Sequence, residues 1–272
     1  MMDRYAVIGN PVAHSKSPWI HAEFARATGQ RMSYLRIEAP LKGFARTVDA
    51  FRASGGRGAN VTLPFKREAF AYCASTSVRA GAARAVNTLR LDRDSPWGDN
   101  TDGAGLLRDL EANLGVAPRG RRVLLMGAGG AAQGVLEPLA KAGAAAIVVV
   151  NRDIAKAQAL VARVAGDPGV ARLGACGYAD LAGESFDMVI NATSSGLSDE
   201  LPPLPAGLFA PQALAYDMMY GRDTPFLAFA RDAGVRTADG SGMLVEQAAE
   251  SFFLWRGVRP ATRAVLAALR VG

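Results

Sequence analysis

The feature that most constrains the fold is a glycine-rich turn between a strand and a helix near the middle of the chain. The apolar segment Arg122–Met126 has the pattern of a buried strand, and the turn Gly127-Ala-Gly-Gly-Ala-Ala132 follows it directly. A helix to about residue 142 and a second strand, Ala146–Val150, come next. Such a turn lets backbone amides and a helix N-terminus approach a pyrophosphate with no side chain in the way. Although Gln133 stands where a third glycine is usual, this context favours dinucleotide binding over a purely structural turn.

The residues after the second strand indicate which dinucleotide this turn would bind. An NAD site usually places Asp or Glu here to bind the ribose 2′-hydroxyl, whereas a 2′-phosphate needs cations. Here Val150 is followed by the neutral Asn151 and then by Arg152, and Lys156 lies one helical turn further on. Arg152 and Lys156 share a helix face and can bind a phosphate together. Asp153 has two open roles, a helix N-cap, which we favour, and a ribose contact. The pattern predicts NADP.

Strand and helix signals alternate along the whole chain, which predicts an α/β fold. Ser17-Pro18 has the pattern of an N-cap followed by proline at the first helical position, and Gly29 ends that helix. Further strands are expected at residues 5–8, 32–37, 58–62, 86–91, near 97, 186–190, 214–216 and 235–237, and helices at residues 17–28, 43–53, 102–114, 153–164, 243–255 and 261–271.

Composition narrows the classes of function. The length of 272 residues suits two domains. Two cysteines, Cys73 and Cys176, cannot form a disulfide framework, and two histidines with no CxxC pair exclude a structural zinc site. The net charge is +6, but the basic residues are scattered, so we expect no nucleic-acid partner. The longest apolar run, residues 142–150, is too short to span a membrane, and we expect no signal peptide.

Two polar segments are candidates for substrate contacts. Ser15 and Ser17 precede a helix, where two hydroxyls and the helix dipole can bind one carboxylate; the alternative is that Ser17 is a plain N-cap and Ser15 is idle. Asn60 and Thr62 lie at a strand end, on one side of the strand, and both can hydrogen-bond a polyol. Taken alone, the local pattern of the serines favours the plain N-cap.

A lysine and an aspartate are the candidates for acid–base chemistry. Lys66 follows the same strand end in an expected loop and would act as a general acid or base if partly desolvated; a lone loop lysine is more often a solvated cation. Asp102 enters a predicted helix, where it is either an N-cap or a carboxylate that faces Lys66.

Ten short motifs occur in one order along the chain: Gly9-Asn-Pro-Val-Ala-His-Ser-Lys-Ser-Pro18, Gly58-Ala-Asn-Val-Thr-Leu-Pro-Phe-Lys66, Ala85-Val-Asn-Thr88, Gly98-Asp-Asn-Thr-Asp-Gly103, Gly127-Ala-Gly-Gly-Ala131, Asn151-Arg152, Asn191-Ala-Thr-Ser-Ser-Gly196, Tyr216-Asp-Met-Met-Tyr220, Ala238-Asp-Gly240 and Gly242-Met-Leu-Val-Glu-Gln-Ala-Ala249. Together they resemble the shikimate dehydrogenase family, NADP-dependent enzymes of aromatic amino-acid biosynthesis, over essentially the full length. Two positions depart from the family pattern. Asp153 stands where many members have a small hydroxyl residue, and Arg84 stands where a small residue is expected.

The resemblance implies a role for each matching residue. The substrate carboxylate would be bound by Ser15 and Ser17 with Tyr220 nearby, and the ring hydroxyls by Asn60, Thr62, Asn87 and Gln247. Lys66 and Asp102 would form the catalytic pair. The cofactor would contact Gly127, Ala128, Gly129, Gly130, Ala131, Asn151, Arg152, Asp153 and Lys156, with Thr193, Met218 and Gly240 on the nicotinamide side.

The resemblance also implies an architecture and a reaction. Residues 1–102 and 239–272 would form a discontinuous α/β substrate domain and residues 103–238 a Rossmann-type NADP-binding domain, with a cleft between them. The expected reaction is the reversible NADPH-dependent reduction of 3-dehydroshikimate to shikimate, in the cytoplasm, by a monomer or a homodimer.

Three alternatives remain at this stage. A quinate/shikimate dehydrogenase with relaxed cofactor choice would differ only in details of the pocket. A non-catalytic sensor of the same fold is disfavoured because Lys66 and Asp102 are both present. A Rossmann oxidoreductase for another substrate would leave the paired serines and the strand-end Asn60 and Thr62 unexplained.

Overall fold

The chain divides into two units in a computed structural model that describes residues 2–165, 172–193 and 199–271. Unit 1 consists of Met1–Gly105 and Leu244–Gly272, and unit 2 of Leu106–Met243. The domain boundaries expected from the sequence, after residues 102 and 238, lie a few residues before these divisions.

Strands and helices alternate along the described chain, so the α/β prediction is confirmed. The strands are β1 Asp3–Gly9, β2 Met32–Glu38, β3 Gly56–Val61, β4 Ser75–Thr76, β5 Thr88–Arg90, β6 Trp97–Asp99, β7 Arg122–Met126, β8 Ala146–Val150, β9 Arg172–Cys176, β10 Phe186–Asn191, β11 Phe209–Asp217 and β12 Arg236–Ala238. The helices are α1 Ser17–Thr28, α2 Phe44–Ala53, α3 Lys66–Tyr72, α4 Val78–Ala83, α5 Asp102–Arg108, α6 Gly130–Lys141, α7 Ile154–Val161, α8 Pro225–Asp232, α9 Ser241–Arg256 and α10 Arg263–Val271.

The sheet of unit 2 has the order β12-β11-β10-β7-β8-β9, and every neighbouring pair in it is parallel. This is the order of the doubly wound dinucleotide-binding fold, in which the strand order reverses between β7 and β10. Ligands of such sheets bind outside the carboxyl ends of the strands at that reversal. The fold therefore places the glycine-rich turn after β7 at the ligand-binding end of the sheet.

The sheet of unit 1 has the order β2-β1-β3-β5-β6-β4 and is mixed. Strand β1 pairs in parallel with β2 and β3, whereas β5 runs antiparallel to both β3 and β6. Residues Tyr5, Ala6, Val7 and Ile8 of β1 are all buried, as expected for a parallel strand covered on both faces. The end of β3 and the start of β5 thus lie side by side, which brings residues 60 and 88 into register.

Five short elements were not predicted, namely α3, α4, α8, β4 and β9. Lys66 is consequently the first residue of a helix, and its expected position in a loop is wrong. The N-cap assignment of Ser17 is also wrong. Ser17 is the first helical residue, and the N-cap is Lys16, whose side chain makes no capping hydrogen bond.

The predicted helix over residues 102–114 is interrupted after α5 by a π-helical turn, Asp109–Asn113. Asp109 is buried, and it accepts a hydrogen bond of 2.7 Å from the Tyr216 hydroxyl. A Cβ atom on Gly242 would overlap the Asp109 carboxylate, so this buried acid is packed directly against the start of α9. Among the helices of the described ranges, none is both long and apolar enough to cross a bilayer.

Candidate active site

Lys66 and Asp102 form a buried ion pair in unit 1. The distance from Lys66 Nζ to Asp102 Oδ2 is 2.6 Å, and the two side chains are 14% and 6% exposed. The first residues of α3 and α5 are therefore in contact. Of the two alternatives given by the sequence, Asp102 faces Lys66, and Lys66 is not a solvated loop cation. An ammonium group held by one carboxylate in a largely dry site is placed to give up and take back a proton.

The second carboxylate oxygen of Asp102 is occupied by an amide. Asn87 Nδ2 donates to Asp102 Oδ1 at 2.8 Å, and the same nitrogen lies 3.2 Å from Gln247 Oε1. The Asn87 side chain cannot be reversed, because its Oδ1 accepts a hydrogen bond of 2.8 Å from the backbone N–H of Thr101. The predicted residues Asn87, Gln247, Lys66 and Asp102 therefore form one connected group, and Thr101, which sequence reasoning did not single out, orients it.

Asn60 lies next to this group, and its side-chain amide is hydrogen-bonded to other side chains. It accepts a hydrogen bond of 2.7 Å from the Tyr34 hydroxyl, and its Nδ2 lies 2.9 Å from Ser251 Oγ and 3.2 Å from Thr88 Oγ1. Thr88 Oγ1 in turn donates to Asn87 Oδ1 at 2.9 Å. A continuous hydrogen-bonded chain thus connects Tyr34 to the carboxylate of Asp102. Tyr34 and Ser251 carry no sequence signal for this role.

The two serines lie at the start of α1. Ser15 Oγ accepts a hydrogen bond of 3.3 Å from the Ser17 backbone N–H. The hydroxyl of Ser15, rather than that of Ser17, therefore hydrogen-bonds to the backbone at the start of the helix. Arg36 of β2 donates two hydrogen bonds, of 3.0 and 2.7 Å, to the carbonyl oxygen of Ser15. A guanidinium therefore lies beside the serines, a cation that the local sequence did not indicate. Thr62 follows β3 with its N–H bonded to Ile8 O.

His21 of α1 is fully buried beside these residues. Its ring stacks on Tyr34 with the centroids 4.2 Å apart. Neither ring nitrogen makes a hydrogen bond of normal geometry with the described residues. Burial lowers the pKa of His21 to about 3, and the nearby Asn60 side chain opposes this shift to a smaller extent. His21 is therefore a neutral packing residue near neutral pH.

Two glycines of the turn after β7 have different reasons to be glycine. Gly127 has a φ of 103°, which side-chain-bearing residues rarely adopt. Gly129 has φ −79° and ψ −174°, an ordinary extended conformation, and a Cβ atom there would find none of the described residues within 4 Å. Neither conformation nor packing demands a glycine at position 129. The open space over the N-terminus of α6 fits the close approach of a ligand phosphate.

The ends of β10 and β11 complete this end of the sheet. Gly127 lies against Thr193, because a Cβ on Gly127 would be 3.2 Å from Thr193 Cγ2. Asn191 Nδ2 donates to the buried Asp217 at 3.1 Å, and Asn191 Oδ1 accepts from the hydroxyl of Thr193 at 2.6 Å. Burial raises the pKa of Asp217.

A side chain on Gly240 would overlap the carbonyl oxygen of Met218, so the predicted residues Met218 and Gly240 touch. Tyr220 follows β11 in unit 2, and residues 194–196 of the motif that contains Thr193 lie outside the described residues.

Two cations and one acid follow β8, and each cation is paired with an acid. Asp153 caps α7 by accepting a hydrogen bond of 3.2 Å from Ala155 N, so the N-cap role is confirmed. Lys156 Nζ lies 3.5 Å from Asp153 Oδ2, and Arg152 Nη2 lies 3.0 Å from Glu200 Oε2. The sequence had indicated two cations against one anion; the structure adds Glu200 as a second anion. Asn151 Nδ2 donates to the carbonyl oxygen of Asp153 at 2.9 Å.

Arg84, one of the two departures from the family pattern, ends α4 in the left-handed conformation, with φ 49° and ψ 38°. Glycine adopts this conformation at the lowest cost. The expected small residue at this position thus has a backbone explanation, whereas nothing in the structure explains the arginine side chain.

A doubly wound sheet with a glycine-rich turn in one unit and a buried Lys–Asp pair in the other define a nucleotide-dependent oxidoreductase. Comparisons with known proteins narrow this class. Residues 7–89 match the shikimate dehydrogenase substrate binding domain, residues 111–198 the shikimate/quinate 5-dehydrogenase family, and residues 240–270 the shikimate 5′-dehydrogenase C-terminal domain.

Relatives that align over nearly the whole chain support the same family assignment. The shikimate dehydrogenase (NADP(+)) of Aromatoleum aromaticum is 60% identical, over 99% of this chain and 97% of the relative. The crystal structure of an Ael1 enzyme from Pseudomonas putida is 51% identical with a TM-score of 0.90, over 98% of each chain. Shikimate 5-dehydrogenase from Thermus thermophilus, solved in complex with NADP(H) and shikimate, is 34% identical with a TM-score of 0.87, over 99% of each chain. This chain belongs to the shikimate dehydrogenase family.

Proposed function

We propose that the protein catalyses the reversible reduction of 3-dehydroshikimate to shikimate with NADPH, a step of aromatic amino-acid biosynthesis. The observation that carries the proposal is the buried Lys66–Asp102 pair, in a chain 60% identical to a shikimate dehydrogenase (NADP(+)).

Lys66 is the proton donor for the substrate oxygen in the direction of reduction. Its ammonium group protonates the oxygen that develops negative charge and recovers a proton from it in the reverse direction. Asp102 holds Nζ in place through one oxygen, while Asn87 holds the other oxygen. NADPH supplies the hydride when it is bound.

The substrate is bound by unit-1 groups that match a carboxylated polyol. The hydroxyls of Ser15 and Ser17 bind the carboxylate at the start of α1, with the guanidinium of Arg36 beside them. Asn87, Gln247 and Thr62 bind ring hydroxyls. Asn60 acts largely through the other side chains of the group, since its amide bonds to Tyr34 and Ser251.

The cofactor is bound by the carboxyl end of the sheet in unit 2. The turn of residues 127–131 binds the pyrophosphate, with open space at Gly129. Asn151, Arg152 and Lys156 bind the 2′-phosphate side, and Thr193, Met218 and Gly240 contact the nicotinamide side. We further propose a cytoplasmic monomer or homodimer without a nucleic-acid partner. The two cysteines, which are free thiols, suit a reducing compartment.

A substrate panel tests the proposal. The purified protein should reduce NADP⁺ with shikimate and oxidise NADPH with 3-dehydroshikimate, and the specificity constant for shikimate should exceed that for quinate. Turnover with quinate but not shikimate would transfer the assignment to the quinate substrate. No turnover with either would refute it.

A further inference from the structure

The arginine that we assign to the 2′-phosphate is already paired with an acid of its own unit. Arg152 and Glu200 lie 3.0 Å apart, and their side chains are 68% and 58% exposed. Lys156 is paired in the same way with Asp153 at 3.5 Å. The four side chains sum to zero formal charge, so a 2′-phosphate meets two cations that each have a counter-ion.

The two acids differ in what else they bind. The carboxylate of Asp153 also caps α7 through Ala155 N, and this bond keeps it at the start of the helix whether or not Lys156 is engaged. Within the described residues Glu200 hydrogen-bonds to Arg152 alone. Glu200 follows β10 in the chain, 48 positions after Arg152, and no helix or strand holds it. Its side chain can therefore leave the arginine without disturbing any regular element.

We propose that Glu200 is a specificity-determining residue that competes with the 2′-phosphate of NADP for Arg152. The proposal rests on the proposed function and on its assignment of Arg152. A phosphate replaces the carboxylate because its charge-assisted bonds to the guanidinium are stronger than an exposed ion pair. NAD, which carries a 2′-hydroxyl, leaves the pair in place. Glu200 therefore lowers the affinity for NADP and leaves the affinity for NAD unchanged.

The size of the effect follows from the exposure of the pair. The loss of an exposed ion pair such as Arg152–Glu200 changes an equilibrium constant, here the dissociation constant of NADP⁺, by at most about fivefold. We expect Glu200→Gln to tighten the binding of NADP⁺ by about two- to fivefold. The difference should shrink at high salt, because exposed charges are screened there.

Calorimetric titration of the full chain with NADP⁺, NAD⁺ and adenosine 2′,5′-bisphosphate tests this directly. Glu200→Gln should tighten NADP⁺ and the bisphosphate but not NAD⁺, and the gain should vanish in an Arg152→Ala background. The matched control is Glu184→Gln. Glu184 forms an ion pair with Arg122 in the same unit at 47% exposure, and its replacement should change none of the three affinities.

The remaining outcomes distinguish a failure of the role of Glu200 from a failure of the proposed function. Equal tightening of NAD⁺ and NADP⁺, a gain that persists without Arg152, or no gain at all would overturn the role of Glu200. The proposed function fails separately: the native protein would then bind NADP⁺ and the bisphosphate no better than NAD⁺, and Arg152→Ala would change neither affinity. A loss of NADP⁺ binding in Arg152→Ala together with no response to Glu200→Gln contradicts the role of Glu200 alone.

Discussion

Alanine substitutions at Gly127 and Gly129 should separate folding from cofactor binding. At Gly127 the alanine would have to hold a φ of 103° with its Cβ only 3.2 Å from the Ala192 carbonyl oxygen, which should cost about 1–3 kcal/mol in the free energy of unfolding. At Gly129 the backbone suits alanine, and among the residues that the structure describes none lies within 4 Å of the Cβ. That variant should stay within about 1 kcal/mol of the native stability, because alanine restricts the unfolded chain but is a poorer N-cap for α6 than glycine.

The binding of NADP⁺ should respond in the opposite order. A Cβ on Gly129 stands in the open space above α6 and keeps a phosphate from one or more backbone amides. A hydrogen bond to a charged group contributes about 1.5–3 kcal/mol, so the dissociation constant should rise by about 10- to 100-fold. Urea denaturation and calorimetric titration measure the two effects. Gly174→Ala, whose Cβ would lie 3.8 Å from Val148 Cγ2 in the same sheet, is the control and should leave binding unchanged. Native affinity in Gly129→Ala would refute the assignment of the pyrophosphate to this turn.

Three further predictions concern unit 1. Arg84→Gly should stabilise the protein by about 0.5–1 kcal/mol in urea denaturation. The cost of the left-handed backbone that glycine removes exceeds the cost of the added entropy of the unfolded chain. A destabilised variant would mean that the arginine side chain contributes to the stability of the folded protein. The buried His21 binds a proton in the unfolded chain below about pH 6.5 but in the folded chain only near pH 3. The native protein should therefore lose roughly 2–3 kcal/mol more stability than His21→Phe between pH 6 and pH 4, and parallel stability curves would refute this. Ser15→Ala should raise the KM for shikimate with little change in kcat, and it should reduce the penalty for an analogue whose carboxylate is replaced by an alcohol; an unchanged penalty would mean that Ser15 does not bind the carboxylate.

The sheet of unit 2 was largely predictable from the sequence. Central parallel strands are continuous apolar runs bounded by glycine or polar residues, and β7 and β8 were predicted to the residue for this reason. The short helices α3 and α4 were not predictable, because six or seven residues carry too little apolar periodicity to be recognised. The consequence was local: Lys66 was expected in a loop but begins a helix.

The pairing of Lys66 with Asp102 was raised by the sequence, but most other contacts of the candidate site residues were not. Lys66 and Asp102 lie in recognisable motifs, and the sequence already raised their pairing as an alternative. Asn60, by contrast, bonds to Tyr34 and Ser251, which are 26 and 191 positions away and become neighbours only through packing. Glu200 is a similar case: a simple charge count around Arg152 missed it because local sequence carries no information about a partner 48 positions away.

The central claim, that Lys66 transfers the proton in an NADP-dependent oxidation of shikimate, is tested most directly by the kcat of Lys66→Ala. We predict a decrease of about 10² to 10⁴ with an unchanged dissociation constant for NADP⁺. The variant should remain folded, but with a lower free energy of unfolding, because the buried Asp102 carboxylate loses its cation. Lys66→Arg should not restore turnover, since arginine keeps its proton in the working range of pH. A folded Lys66→Ala protein that turned over shikimate at nearly the native rate would contradict the account.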